Sequence, residues 1–161
     1  MRAIKRVLCV VVLALMLPMG PALAVNYYSD FSAGSDATGD GSTGTPWKTL
    51  TKALTIAVGG DVINLRATAP PVTYAEDTGA AGYLNVTQQF ADYVTVQSES
   101  GVAADVVIEG ASNATYNTFI NAVAPKIEWK NLTFHTRVAT NSNAVRVAKG
   151  NPVFSRHCYT P

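Results

Sequence analysis

Five polar side chains crowd one short stretch of this sequence: Glu128, Lys130, Thr133, His135 and Arg137, interleaved with Ile127, Trp129, Leu132 and Phe134. In an extended chain successive side chains point to opposite faces, so the apolar set should turn inward and the polar set should form a row on one outer wall. Lys130, His135 and Arg137 are then the candidate catalytic groups. A cation there can neutralise an anion on a bound molecule, and an unprotonated neighbour can take a proton. Glu128 and Lys130 are the candidates for holding a substrate. The same row also reads as an ordinary solvated face, and both readings stay open. Asp30, Asp36 and Asp40 lie in a Gly/Ser/Thr-rich stretch and are candidate hard-oxygen ligands for Ca²⁺. Their spacing is not that of an EF-hand loop, and Asp in such a stretch also makes turns. Cys/His metal sites are excluded by composition, because His135 and His157 are the only histidines and Cys9 and Cys158 the only cysteines. A Ser-His-Asp triad has no local signature here.

The elements that must position these groups begin after a leader. Arg2, Lys5 and Arg6 are followed by an uncharged apolar run from Val7 to Leu17 and by Ala22-Leu23-Ala24. A basic start, a short apolar centre and an A-x-A end describe a signal peptide of bacterial type over residues 1–24, leaving residues 25–161. The apolar run is too short for a bilayer span, which takes about 20 residues. The expected location is therefore secreted, periplasmic or on the cell surface, with no membrane association after cleavage. Removing three of the 12 basic residues and none of the 11 acidic ones leaves a net charge of −2. A weakly acidic chain with no Lys/Arg run is a poor partner for nucleic acid. Cys9 leaves with the leader, so Cys158 has no disulfide partner within the chain, and it reads as a small buried apolar group.

Residues 26–31, Asn-Tyr-Tyr-Ser-Asp-Phe, suit a short strand, and the Gly/Ser/Thr/Asp stretch after them is loop. A helix follows from Pro46 to Val58. Thr45 is its expected cap, Pro46 its first position, and Trp47, Leu50, Leu54 and Ala57 share one face before Gly59-Gly60 ends it. Asp61 to Arg66 then switches to period two. Beyond it lie only short strands, clearest at residues 93–97, 106–109, 127–130, 132–134 and 144–147.

These strands form a weak internal repeat. Phe119–Trp129 overlays Val145–Ser155 at an offset of 26, and Tyr93–Val96 lies 33 residues before Lys126–Trp129. Short strands recurring at 20 to 35 residues predict a solenoid of stacked coils over a β-sandwich, because strand order is shared between repeats and paired strands meet at a tight corner. Asn85, Asn113 and Asn131 head Asn-x-Thr triplets. In a bacterial protein they suit coil corners better than glycosylation.

The opening resembles secreted right-handed parallel β-helix proteins of the pectin-lyase-like superfamily. The resemblance rests on Tyr27-Tyr28-Ser29, the Gly/Asp loop, Pro46-Trp47-Lys48-Thr49-Leu50, Lys52-Ala53-Leu54 and Gly60-Asp61-Val62-Ile63-Asn64-Leu65-Arg66, in that order. The turn before Tyr74 departs from the family pattern, with Ala69-Pro70-Pro71. The resemblance implies an all-β solenoid whose helix covers its N-terminal end, monomeric when full length. It also implies a carbohydrate-directed role as a module of a polysaccharide lyase or glycoside hydrolase, with Lys130, His135 and Arg137 as candidates for charge neutralisation and proton abstraction on a uronate. A non-enzymatic, adhesin-like surface β-helix is the alternative. No second cap follows the last strands, so the chain is expected to be the N-terminal portion of a longer protein, inactive as it stands.

Overall fold

The computed structural model describes residues 23–75, 84–86, 88–109, 118–123, 126–135, 143–149 and 153–155. The leader up to residue 22, Arg137, Asn113, His157 and Cys158 lie outside the described residues.

Alternation of buried and outward residues builds the strands. Strand β1 (Asn26–Asp30) leads through a loop to helix α1 (Leu50–Ile56), and β2 (Val62–Arg66), β3 (Val72–Ala75) and β4 (Leu84–Val86) follow. Then come β5 (Val94–Ser98), β6 (Val106–Glu109) and β7 (Thr118–Val123), and after them β8 (Ile127–Lys130), β9 (Thr133–His135) and β10 (Asn143–Lys149), with β11 (Val153–Ser155) last. They form three sheets: β1-β2-β5-β8-β11, here sheet A; β3-β6-β9, sheet B; and β4-β7-β10, sheet C. Every registered pair is parallel. The chain therefore visits sheets A, B and C in turn, once per coil, and each coil stacks on the one before. This is a parallel β-helix, as expected, and not a sandwich.

One continuous core fills the interior. In sheet A the inward ladder is Tyr27, Ile63, Val96 and Trp129, in register from coil to coil. In sheet B it is Tyr74, Ile108 and Phe134. Trp129 and Phe134 meet edge-on with ring centroids 5.6 Å apart. Nearly all of these side chains are fully buried, which is where most of the driving force for stacking lies. Tyr74 solves its polarity by placing its hydroxyl 2.6 Å from the Ser29 carbonyl and 2.8 Å from that of Arg66. The Pro70–Pro71 bond is cis, and β3 begins at Val72, immediately after it.

The first coil has a helix where later coils have strands. Leu50, Leu54 and Ala57 are buried against the core, as the apolar spacing predicts, and Ala53 is buried with them. The helix start differs from the prediction. Thr49 caps it, its hydroxyl accepting from the Lys52 N–H, while Thr45 and Pro46 belong to the loop. Trp47 is not helical: it forms a β-bridge with Ser29 and sends its indole N–H to the Gly39 carbonyl at 3.0 Å. The loop can wrap this ring only because Gly41, at φ +81°, has no Cβ; one built there would fall 2.7 Å from the indole.

The repeat is also sharper than its sequence trace. The 33-residue offset holds, with Val94 opposite Ile127. The predicted 26-residue offset is 25 in most of the last turn, where Val145 faces Ile120 and Phe154 faces Trp129. It becomes 26 only at Lys149 and Val123, past a bulge.

Candidate functional site

Strand alternation in sheet A sends Ile63, Leu65, Val96 and Trp129 inward, and therefore Asn64, Arg66, Thr95, Gln97, Glu128 and Lys130 outward. The 33-residue period then places like positions side by side: Asn64 beside Gln97, Gln97 beside Lys130, and Thr95 beside Glu128. The side chains join across the strands. Asn64 Nδ2 donates to the Tyr27 carbonyl at 3.2 Å, and Gln97 Nε2 donates to Asn64 Oδ1 at 2.9 Å. Thr95 Oγ1 donates to Glu128 Oε2 at 3.2 Å, and the Lys130 ammonium lies 2.7 Å from the same oxygen.

At the other end of this face Arg66 grips Glu99 with two N–H···O bonds, 2.8 and 3.2 Å long. Its third contact is the Thr43 carbonyl at 3.1 Å, and its guanidinium lies 5.4 Å from the centre of the Tyr28 ring. The hydrogen bond to Glu99 raises the guanidinium's already high pKa, so Arg66 stays charged at any working pH. The result is a flat, polar, internally bonded surface running along the solenoid axis over three coils.

Glu128 and Lys130 are outward and adjacent, as predicted. The expectation of one wall for the whole row is wrong. Asn131, in the left-handed region at φ 52°, turns the chain between β8 and β9, so Thr133 and His135 leave from sheet B. There Thr133 Oγ1 donates to the Ala103 carbonyl at 2.8 Å, and His135 Nδ1 lies 2.9 Å from Glu109 Oε1. Glu109 is nearly buried at the end of β6, and the half-exposed imidazole sits beside it in the next coil. An ionised Glu109 favours the proton on Nδ1, which leaves Nε2 as the acceptor nitrogen. That arrangement can accept a proton. The Lys130 ammonium, paired with Glu128, is a donor only.

Asp30, Asp36 and Asp40 are not brought together. Asp30 accepts from the Ser32 and Ala33 N–H groups and from the Thr68 hydroxyl. Asp36 accepts from the Lys48 and Thr49 N–H groups and from the Thr49 hydroxyl. Asp40 accepts from the Ser42 N–H and the Thr45 hydroxyl. Each carboxylate organises its own part of the loop. Among the described residues no group of three His, Cys, Asp or Glu side chains is placed to hold a metal ion. A cavity of about 340 Å³ near the C-terminal end of α1 is lined by groups such as Ala57, Val58, Gln88 and Phe90, none of which titrates.

Sequence reasoning missed Asn64, Arg66, Thr95, Gln97 and Glu99 as one surface. The signal was present: residues 64, 97 and 130, residues 95 and 128, and residues 66 and 99 are each 33 apart, the same offset that links Tyr93–Val96 to Lys126–Trp129.

No curated protein matches the chain. Among solved structures it is similar to a rhamnogalacturonan lyase, at 19% identity and a TM-score of 0.60, over 81% of this chain and 34% of that one. The chain thus spans about a third of that structure's length, and the likeness is one of fold. Residues 32–153 match the family model described as "Protein of unknown function (DUF1565)". That match runs from the loop after β1 to the first residue of β11 and covers most of the chain, so the chain belongs to the DUF1565 family, and its architecture is that of a parallel β-helix.

Proposed function

We propose that this chain is the N-terminal, capped portion of an exported bacterial β-helix protein that acts on carbohydrate, and that the outer face of sheet A binds the polymer. The observation that carries the reading is the row of Asn64, Gln97, Thr95, Glu128 and Lys130, held in register over successive coils. Amide, hydroxyl and charged groups repeated along an axis suit a ligand that itself repeats. The likeness in fold to a polysaccharide lyase supports the same direction. The first strand starts at Asn26, so cleavage after Ala24 leaves every coil whole.

Binding without cleavage is the activity proposed for this stretch of chain. Arg66 and Lys130 of sheet A are held in ion pairs, and among the described residues the one imidazole–carboxylate pair, His135 with Glu109, lies on a different sheet. Catalysis then belongs to further coils of a longer protein. Two measurements test this. Affinity electrophoresis against a panel of plant and bacterial polysaccharides should show retardation by at least one polymer, weakened in Gln97→Ala. The same polymers incubated with the chain should yield neither the ultraviolet absorbance of an unsaturated product nor new reducing ends. Retardation by none sinks the binding reading, and turnover sinks the division of labour.

A further inference from the structure

The chemical class of the polymer follows from how sheet A spends its charges, and the inference rests on the carbohydrate reading of that face. A polyanion is held by cations whose charge is available to it. Among the described residues of β1, β2, β5 and β8, two outward cations occur, Arg66 and Lys130. Each already has a carboxylate: Arg66 holds Glu99 through two hydrogen bonds, and Lys130 lies 2.7 Å from Glu128. Lys126, just before β8, is exposed and donates to the Ala91 carbonyl at 2.7 Å, a neutral partner that leaves its charge in place at the edge of the face. The two pairs cancel, and an incoming carboxylate would meet Glu99 and Glu128 as well as their partners. Between the pairs the surface offers the Gln97 amide and the Thr95 hydroxyl, with the buried Asn64 holding Gln97 from beneath and the Tyr28 phenol at the edge. Neutral donors and acceptors recur about 4.8 Å apart from coil to coil. Amides both donate and accept, which is what sugar hydroxyls require.

We infer that the sheet A face takes an uncharged, hydroxyl-rich polysaccharide laid along the solenoid axis, and that it discriminates against polyuronates because Glu99 and Glu128 already neutralise its two cations. Discrimination of this kind needs a repulsive element as well as an attractive one, and the two carboxylates supply it.

Affinity electrophoresis of the full chain in gels holding neutral polymers (galactan, xylan, mannan) or polyuronates (polygalacturonate, alginate) tests it, at low and high salt. The expected result is retardation by at least one neutral polymer, little changed by salt. Gln97→Ala should weaken it about tenfold, the equivalent of one lost hydrogen bond. Glu128→Gln keeps an acceptor for Thr95 and releases the Lys130 charge, so it should add salt-sensitive retardation by polygalacturonate. Unchanged thermal midpoints show that both variants fold. Retardation of the wild type by polyuronates alone overturns this inference and leaves the carbohydrate reading standing. So does a Glu128→Gln variant that gains nothing on polygalacturonate. Retardation by no polymer overturns both.

Discussion

Asp40 shows how a single exposed carboxylate can organise a loop. The Thr45 hydroxyl, with the Ser42 N–H behind it, holds its pKa down from 3.8 to about 2. A carboxylate whose folded pKa is depressed stabilises the fold above its unfolded pKa and loses that contribution as pH falls through the folded value. The loop's tie should therefore be intact above pH 3.8 and gone below about 2. Asp40→Asn should lower the thermal midpoint at pH 7 and lose its difference from wild type across that window; a difference independent of pH would refute the assignment. Tyr74 makes the opposite kind of contact, deep in the core. Its hydroxyl ties carbonyls of β1 and β2, the strands of two successive coils, from a third strand. Tyr74→Phe keeps the packing and leaves those carbonyls without that donor, so it should cost about 1–2 kcal/mol in urea unfolding with the slope unchanged.

Helix α1 is an element whose ends are set by tertiary contacts. Asp36, in the loop, accepts from the Thr49 hydroxyl and from the Lys48 and Thr49 N–H groups, while the Thr49 hydroxyl accepts from Lys52 N–H. Cap and loop are thus one unit. Thr49→Ala should destabilise by about 1 kcal/mol and Asp36→Ala by more, since Asp36 serves two backbone donors. The double variant should fall short of their sum by about 0.5–1 kcal/mol. Strict additivity in chemical denaturation would show the two contacts to be independent. This coupling also explains what the sequence could and could not convey. The face of Leu50, Leu54 and Ala57 was legible because burial follows 3.6-residue spacing. The start was not, because Thr45-Pro46 carries the local signature of a helix opening while Thr49 becomes the cap through an Asp 13 residues away. Strand β3 was hidden by the two prolines before it. Strand β4 was hidden by its length of three residues.

At the scale of the molecule, the core and the outer face of sheet A share one period across its middle coils. An offset of 33 links β2 to β5 and β5 to β8, and it is this offset that stacks Ile63 on Val96 on Trp129 inside and Asn64 beside Gln97 and Lys130 outside. Core and candidate site are two faces of one register, which a slip of one residue would exchange. The site was only half legible in the sequence for that reason. Glu128 and Lys130 are neighbours in the chain, whereas their companions Thr95, Gln97 and Asn64 become neighbours only once the coils stack. The corner at Asn131 was legible as the single residue between two short strands, but its consequence was not: a left-handed residue interrupts the alternation that the reading of Glu128 to Arg137 assumed. A solenoid also distributes its stability in a particular way, since each coil touches chiefly the coils on either side. Trp129 is fully buried and stacks edge-on against Phe134 within its own coil. Trp129→Ala should therefore cost about 3–5 kcal/mol, and the loss should be local. Amide hydrogen exchange should quicken in β8 and β9, and less in β5 and β6. In β1, α1 and β2, held by the Trp47 and Tyr74 contacts, it should stay close to wild type. Equal acceleration from β1 to β9 would mean that the coils unfold as one cooperative block, and the nearest-neighbour account of this β-helix would have to be abandoned.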